Sequence, residues 1–291
     1  MQKALVTGVS GMIGSRLAET LIRMGVRVVG VDTHPCPIQG VDFLCADIRD
    51  RQAMYEAAKG IDAIAHLAGL ANVRNAIGKE LEYFDVNVHG SINMLDAAVK
   101  HAVPSFVFAS TSSVYGRSAG FKETEAADTP LSAYPASKRS VELLGHSYHN
   151  NYQLNFTATR FFSVYGPRPR TDMMPCIVAQ SIKTGSTIDL YNGGQMWRDW
   201  THVDDICDGV IRAMINPLGY EIINLGRGKP VMMGDFVGYI ERAVGGKAKI
   251  RSMPAPPTEA ISTCADIGKA VALLGYNPTI SLENADLSFL Q

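Results

Sequence analysis

A glycine-spaced turn near the N-terminus constrains this chain more than any other feature. Gly8-Val9-Ser10-Gly11-Met12-Ile13-Gly14 follows the short apolar run Lys3 to Thr7 and opens a segment, Met12 to Met24, with apolar residues at Ile13, Leu17, Leu21 and Ile22. The first run reads as a buried strand and the second as an amphipathic helix. Glycine admits backbone angles closed to other residues, so the chain can turn sharply between the two. The missing side chains let backbone N–H groups approach a pyrophosphate at the helix N-terminus, where the helix dipole favours anions. Gly14 lets the helix pack on the sheet. A ligand-free turn of this kind needs glycines too; the placement after a strand and before a helix is what points to a dinucleotide.

The first half repeats the alternation. Arg27 to Val31 is a strand ending at Asp32, Arg51 to Ala58 looks helical, and Ile61 to Ala65 is another short buried strand. Glu80 to Lys100 reads as one long helix with Pro104 beyond it. Ser105 to Ala109 follows as a strand, Ser132 to Asn150 as a helix and Asn155 to Arg160 as a strand. This alternation predicts parallel crossover units in an α/β, doubly wound sheet. After Tyr165 the breakers multiply, in Gly166-Pro167-Arg168-Pro169-Arg170, Asn192-Gly193-Gly194, Asn216-Pro217, Gly226 to Pro230 and Pro254 to Pro257. Residues 1–165 are expected to form the nucleotide-binding sheet. Residues 166–291 are expected to form mainly a smaller α/β substrate-binding region of shorter elements, some returning to the main sheet.

Composition narrows the class. A chain of 291 residues, 46 % hydrophobic and 19 % charged, can bury a core without disulfides or metal. A net charge of −1 offers no basic field to nucleic acid and no polybasic patch to a membrane. No apolar run is long enough to span a bilayer, and MQKALVTG lacks the apolar core of a signal peptide. The cysteines at 36, 45, 176, 207 and 264 form no C-x-x-C pair and read as small buried thiols of a reduced, cytoplasmic protein. His66, His89, His146 and His149 lack metal-ligand spacing and read as structural or exposed, so no metal is expected.

Further features fall where a dinucleotide enzyme needs them. Asp32 ends the second strand, where a carboxylate can bond both ribose hydroxyls and repel a 2′-phosphate, favouring NAD over NADP; a strand-end cap is the plainer reading. Asp47-Ile48 is placed for an adenine edge or an ordinary loop. Ser110-Thr111-Ser112-Ser113 stands at the carboxyl end of a buried strand, where such sheets hold ligands, or forms a solvated turn. Tyr134 and Lys138, four apart, share a helix face. A nearby ammonium would lower the phenol's pKa towards the range of a general base. Alone, that pair does not stand out from a surface helix pair; the order glycine turn, Asp32, hydroxyl cluster, Tyr–Lys gives it meaning.

On TGVSGMIG (7–14), HLAG (66–69), STSSVYG (110–116), YPASK (134–138), RFFSVYGPR (160–168) and RDWTHVDDI (198–206), the chain resembles the extended short-chain dehydrogenase/reductase family of nucleotide-sugar epimerases and dehydratases. The resemblance runs from residue 1 to about 275. It implies a Rossmann-type sheet binding NAD through Gly8, Gly11, Met12, Ile13, Gly14, Asp32, Asp47, Ile48, Leu67, Ala68, Gly69 and Asn87, with Tyr134 and Lys138 at the nicotinamide end. It further implies Tyr134 as acid/base, Lys138 on the nicotinamide ribose, Thr111 on the sugar 4-hydroxyl and Arg198 on the diphosphate, for which a bidentate guanidinium suits better than Lys. The family commonly dimerises through two helices per subunit, here about 80–100 and 133–150.

Within that family three stretches are similar to the UDP-glucuronate 4-epimerases: Val73-Arg74 after HLAG, Phe162-Ser163-Val164-Tyr165, and Arg170-Thr171-Asp172-Met173. The segment Ile188 to Asn192, with Gly194 to Asp199, is similar as well. The likeness implies that Arg170 meets a substrate carboxylate beside Ser112, Ser113 and Ser163, that Arg74 borders the substrate and that Glu259 holds the uridine ribose. The chain departs in its short Thr33 to Asp42 loop, its trimmed C-terminal end, and Pro257-Thr258-Glu259 in place of P-G-D. Pro256 stands where hexose epimerases often carry Arg. The expected activity is inversion at C4 of UDP-glucuronate through a 4-keto intermediate. A UDP-hexose 4-epimerase, a UDP-glucuronate decarboxylase and a non-catalytic NAD-binding regulator are the alternatives. A 4,6-dehydratase usually carries Asp-Glu after its catalytic Thr, where Ser112-Ser113 stands here.

Overall fold

The computed structural model describes residues 1–118, 120–256 and 260–291, so Glu259 lies outside the described residues. The first half runs β1 (Lys3–Thr7), α1 (Met12–Arg23), β2 (Arg27–Asp32), β3 (Val41–Cys45), α2 (Arg51–Ala57), β4 (Ala63–His66), α3 (Glu80–Phe84), α4 (Gly90–Lys100), β5 (Ser105–Thr111), α5 (Ala133–Tyr152) and β6 (Phe156–Phe161). The second half runs β7 (Ser163–Tyr165), α6 (Met174–Thr184), β8 (Thr187–Tyr191), β9 (Trp197–Arg198), β10 (Trp200–His202), α7 (Val203–Ile215), β11 (Tyr220–Leu225), β12 (Val231–Met232), α8 (Met233–Val244), β13 (Lys249–Met253) and α9 (Gly268–Leu274).

Seven parallel strands form the main sheet in the order β3-β2-β1-β4-β5-β6-β11. Helices cover both faces, which is why β4, β5 and β6 are buried at every position. On one face, Leu17 and Leu21 of α1 share a core with Ile206 and Val210 of α7. On the other, Met54, Met94 and Leu95 pack with Val141 against Phe106, Phe108 and Phe156. Each such side chain contributes roughly 1.5–3 kcal/mol on burial. The strand order reverses between β1 and β4, and the crevice outside their carboxyl ends is where a sheet of this kind receives a ligand.

Three expectations need correction. The helix over 80–100 is interrupted by a π turn, Asp85–His89. The second half is not built only of shorter elements: α6, α7 and α8 are full-length helices. α7 packs on the main sheet, and β11 is its edge strand. A second, smaller core lies elsewhere, where Trp200 stacks on Phe236 at 3.9 Å beside Val178, Ile188 and Ile240. Of the cysteines only Cys207 is buried; Cys45 is exposed and the others are half-buried. Among the described residues, no helix is long and apolar enough to cross a membrane.

Candidate active site

A cleft of about 900 Å³ opens at the carboxyl ends of the central strands. The glycine turn forms one end. Gly8 has φ +70°, and a Cβ there would stand 2.8 Å from the Ala68 nitrogen. A Cβ on Gly14 would run into the Gly8 carbonyl oxygen. Both positions are closed to other residues for reasons of packing and backbone, so α1 starts directly against the turn. Asp32 accepts hydrogen bonds from the Ser10 N–H at 3.0 Å and the His34 N–H at 2.9 Å, which fix its carboxylate at the cleft. A carboxylate has about four lone-pair sites, so two remain for hydroxyl donors. Gly11, Met12, Ile13, Asp47, Ile48, Leu67, Ala68 and Gly69 line the same end. Arg49 pairs with Asp47 and with Asp85, both at 2.7 Å. Its hydrogen bond outweighs burial and holds Asp47 below the usual carboxylate range. A glycine-spaced turn at a helix N-terminus with a fixed carboxylate beside it fits a dinucleotide.

Asn87 does not line the cleft, contrary to the reading from sequence. It is buried in the π turn, where its Oδ1 accepts from the Leu70 N–H at 2.7 Å. Its Nδ2 donates to the Leu70 carbonyl at 3.0 Å and to Ser137 Oγ at 2.9 Å. The amide thus clamps the loop after β4 to α5, with both N–H donors engaged. His66 lies behind it, held by Thr7 Oγ1 at 2.7 Å and Ser91 Oγ at 2.9 Å. Burial, reinforced by nearby Lys138, pushes the imidazole down to about 3, so it stays neutral.

Thr111 closes β5, and Tyr134 and Lys138 stand on the first two turns of α5; all three line the cleft. Burial raises the pKa of the Tyr134 phenol, while its hydrogen bond with the Thr111 hydroxyl and the charge on Arg170 pull it down. Lys138 was expected to supply that pull. Instead its ammonium is buried 4.7 Å from the Phe108 ring centroid, and burial brings its pKa down to about 8. The edge of Tyr83 meets the Tyr134 ring at 6.3 Å between centroids.

Arg170 and Ser163 line the same cleft as Thr111 and Tyr134. Of the other substrate residues read from sequence, Ser112, Ser113, Arg74 and Arg198 do not line the cleft, and Glu259 lies outside the described residues. Ser112 and Ser113 begin a short 3-10 turn, in which the Ser113 N–H donates to Thr111 Oγ1. The Arg74 guanidinium is 5.1 Å from the Tyr191 ring centroid. Arg198 sits on β9, which pairs with β12 away from the main sheet, and donates to the Trp197 carbonyl at 2.8 Å. Sequence reading also missed residues that border the cleft, among them Asn72, Glu82, Phe162 and Met173. It passed over the buried Glu142–Arg160 pair beneath Ser110 as well. A charged residue inside an otherwise uncharged, buried strand, as Arg160 is in β6, was the available signal for that pair.

Residues 4–226 match the sequence model described as the NAD dependent epimerase/dehydratase family. The chain is 38 % identical to a UDP-glucuronate 4-epimerase of Thermodesulfobacterium geofontis, over 96 % of this chain and 92 % of that one. Among solved structures it is similar to MoeE5 in complex with UDP-glucuronic acid and NAD, with TM-score 0.92 and 30 % identity over 99 % of this chain and 97 % of that one. It is equally similar to a UDP-glucuronic acid 4-epimerase from Bacillus cereus in complex with UDP-glucuronic acid and NAD, with TM-score 0.90 and 30 % identity over 99 % of each chain.

Proposed function

The chain belongs to the NAD dependent epimerase/dehydratase family, and from that premise we propose that it inverts C4 of UDP-glucuronate. The carrying observation is the shared cleft: the Arg170 cation and the Ser163 hydroxyl line it together with Thr111 and Tyr134, and the Arg170 charge acts on the Tyr134 phenol. A sugar presenting its 4-hydroxyl to Tyr134 would then have a cation nearby for a C6 carboxylate. The relatives' bound ligands, UDP-glucuronic acid and NAD, have the same chemistry.

NAD, held at the glycine turn and Asp32, would supply the acceptor and donor of the C4 hydride. The chain's own residues handle the rest. Thr111 hydrogen-bonds O4 and orients it; Tyr134 takes the O4 proton and later returns it. Lys138, two turns into the same helix, holds a ribose hydroxyl through its ammonium. A 4-keto uronate is a β-keto acid and can lose CO₂. Arg170 and Ser163 gripping the carboxylate would keep the C5–C6 bond out of the alignment that loss requires. Fixing all groups in one cleft supplies the positional advantage. Ser112, Ser113, Arg74, Arg198 and Glu259 remain candidate substrate contacts by resemblance alone.

Incubation of the purified protein with NAD⁺ and UDP-glucuronate, followed by proton NMR, tests the reading. Appearance of UDP-galacturonate supports it. A UDP-pentose product assigns decarboxylation instead, and conversion of UDP-glucose alone assigns a hexose epimerase.

A further inference from the structure

We propose that Asp172, fixed by Asn72, is a positioning residue that aims Arg170 at the substrate carboxylate and so sets the preference for a uronate over a neutral sugar. The inference rests on the uronate reading above and goes beyond it by naming what makes Arg170 selective.

The Arg170 Nε donates to Asp172 Oδ1 at 2.9 Å, and Nη2 lies 3.5 Å from Oδ2. The same Oδ2 accepts from Asn72 Nδ2 at 2.8 Å. Asn72 is itself pinned. Its Oδ1 accepts from the backbone N–H groups of Arg74 at 2.9 Å and Asn75 at 3.1 Å, and its carbonyl accepts from Tyr83 Oη at 3.1 Å. Tyr83 then meets Tyr134 edge to face. The chain of contacts thus runs from the acid/base residue, around the loop after β4, to the arginine on the Pro-rich loop. Asn72 and Arg170 line the cleft, whereas Asp172 does not.

The chemistry follows from the fork. A guanidinium has five N–H donors. Asp172 takes the Nε edge and leaves the Nη1 end for a second carboxylate. Without Asp172, a half-exposed arginine between breaker residues would sample many rotamers, and ordering it would cost binding free energy each time substrate arrived. Pairing in advance removes that cost. It also lowers the local positive charge, so a uronate is chosen by geometry more than by bulk attraction. When a neutral sugar binds, Arg170 keeps Asp172 as its partner and gains nothing from the sugar.

Asp172→Ala, Asp172→Asn and Arg170→Ala test the assignment, with NAD content and melting temperature measured to confirm folding. The readouts are kcat and KM for UDP-glucuronate and the inhibition constant of UDP-glucose. Asp172→Ala is expected to raise the UDP-glucuronate KM about tenfold, with kcat within about threefold, and so to shrink the ratio of the two constants. Asp172→Asn can accept from Nε only by turning its NH2 towards the Asn72 Nδ2 donor, so it should recover only part of that loss. A KM left unchanged by Asp172→Ala, or a ratio that does not move, overturns the proposal. If Arg170→Ala weakens UDP-glucuronate and Asp172→Ala does not, only the positioning role falls. If Arg170→Ala itself leaves UDP-glucuronate unaffected, the uronate reading falls with it.

Discussion

The Lys138 ammonium lies 4.7 Å from the centroid of the Phe108 ring, almost wholly shielded from solvent beneath the cleft. Burial lowers its pKa from 10.5 to about 8. One unit corresponds to about 1.4 kcal/mol, so keeping the charge at neutral pH costs the ligand-free fold on the order of 3 kcal/mol. The unfolded chain holds this proton between pH 8 and 10.5 and the folded chain does not. The penalty is therefore complete below pH 8 and fades as pH rises towards 10.5. Lys138→Met keeps the stem and discards the charge. The expected outcome is a higher melting temperature at pH 7, a gain that shrinks by pH 10, and loss of bound NAD. A variant no more stable than the parent at pH 7 would show that the ammonium is not under strain.

Tyr134 faces the Thr111 hydroxyl, and the nearby Arg170 charge partly offsets the effect of burial on its phenol. Tyr134→Phe removes only the hydroxyl and keeps the ring against Tyr83. Loss of a general acid/base costs typically 10²–10⁴ in rate. Turnover of UDP-glucuronate should fall by about that factor while NAD co-purifies at the parent's level. Near-parental kcat would remove Tyr134 from the reaction.

How much of this could be read from sequence depends on the kind of signal. β1 is bounded as its apolar run predicts, and α1 starts where Gly11-Met12 places it, because turn chemistry and periodicity are local. Thr111, Tyr134 and Lys138 converge because strand end and helix start are also locally encoded. Asn87 is held by the Leu70 backbone and Ser137, partners that no spacing rule connects to it. Asn72 and Asp172 meet across 100 residues of chain, through loops without periodicity. β3 is a half-exposed edge strand, so its apolar pattern is weak. Arg198 was assigned by motif alone, and its side chain stands on a different small sheet.

Beneath the cleft, Glu142 and Arg160 are both buried and joined by two hydrogen bonds, at 2.9 and 2.8 Å. Glu142 also accepts from Ser110 Oγ at 2.6 Å and Arg139 Nη1 at 3.0 Å. Arg160 lies 4.6 Å from the Tyr115 ring centroid. Glu142→Gln leaves a buried guanidinium without its counter-charge, a change that costs roughly 3–5 kcal/mol. At a few degrees per kcal/mol, the melting temperature should drop by about 10 °C. Because Ser110 adjoins Thr111, kcat should also decline in the folded variant. A melting temperature within about 2 °C of the parent would show that the pair is dispensable to the fold.

The last prediction concerns the face beside the cleft. Leu81 is 88 % exposed, Ile77 65 % and Leu143 56 %, which are unusual values for such side chains. Leu81 lies on α3 and Leu143 on α5, and the two helices pack side by side. Contiguous exposed apolar groups mark an association surface, and a two-fold axis lets one such surface pair with itself. The family resemblance implies a homodimer through the helices over about 80–100 and 133–150, on which Leu81 and Leu143 lie. Because α3 carries Tyr83 and α5 carries Tyr134 and Lys138, this contact would also stiffen the catalytic wall. Leu81→Glu combined with Leu143→Glu places like charges across the axis and should convert the dimer to a monomer in sedimentation velocity. NAD would still bind, since neither residue lines the cleft, while kcat should fall several-fold as α3 and α5 lose their support. A parent chain that sediments as a monomer, or a double variant that stays dimeric, would place the association surface elsewhere.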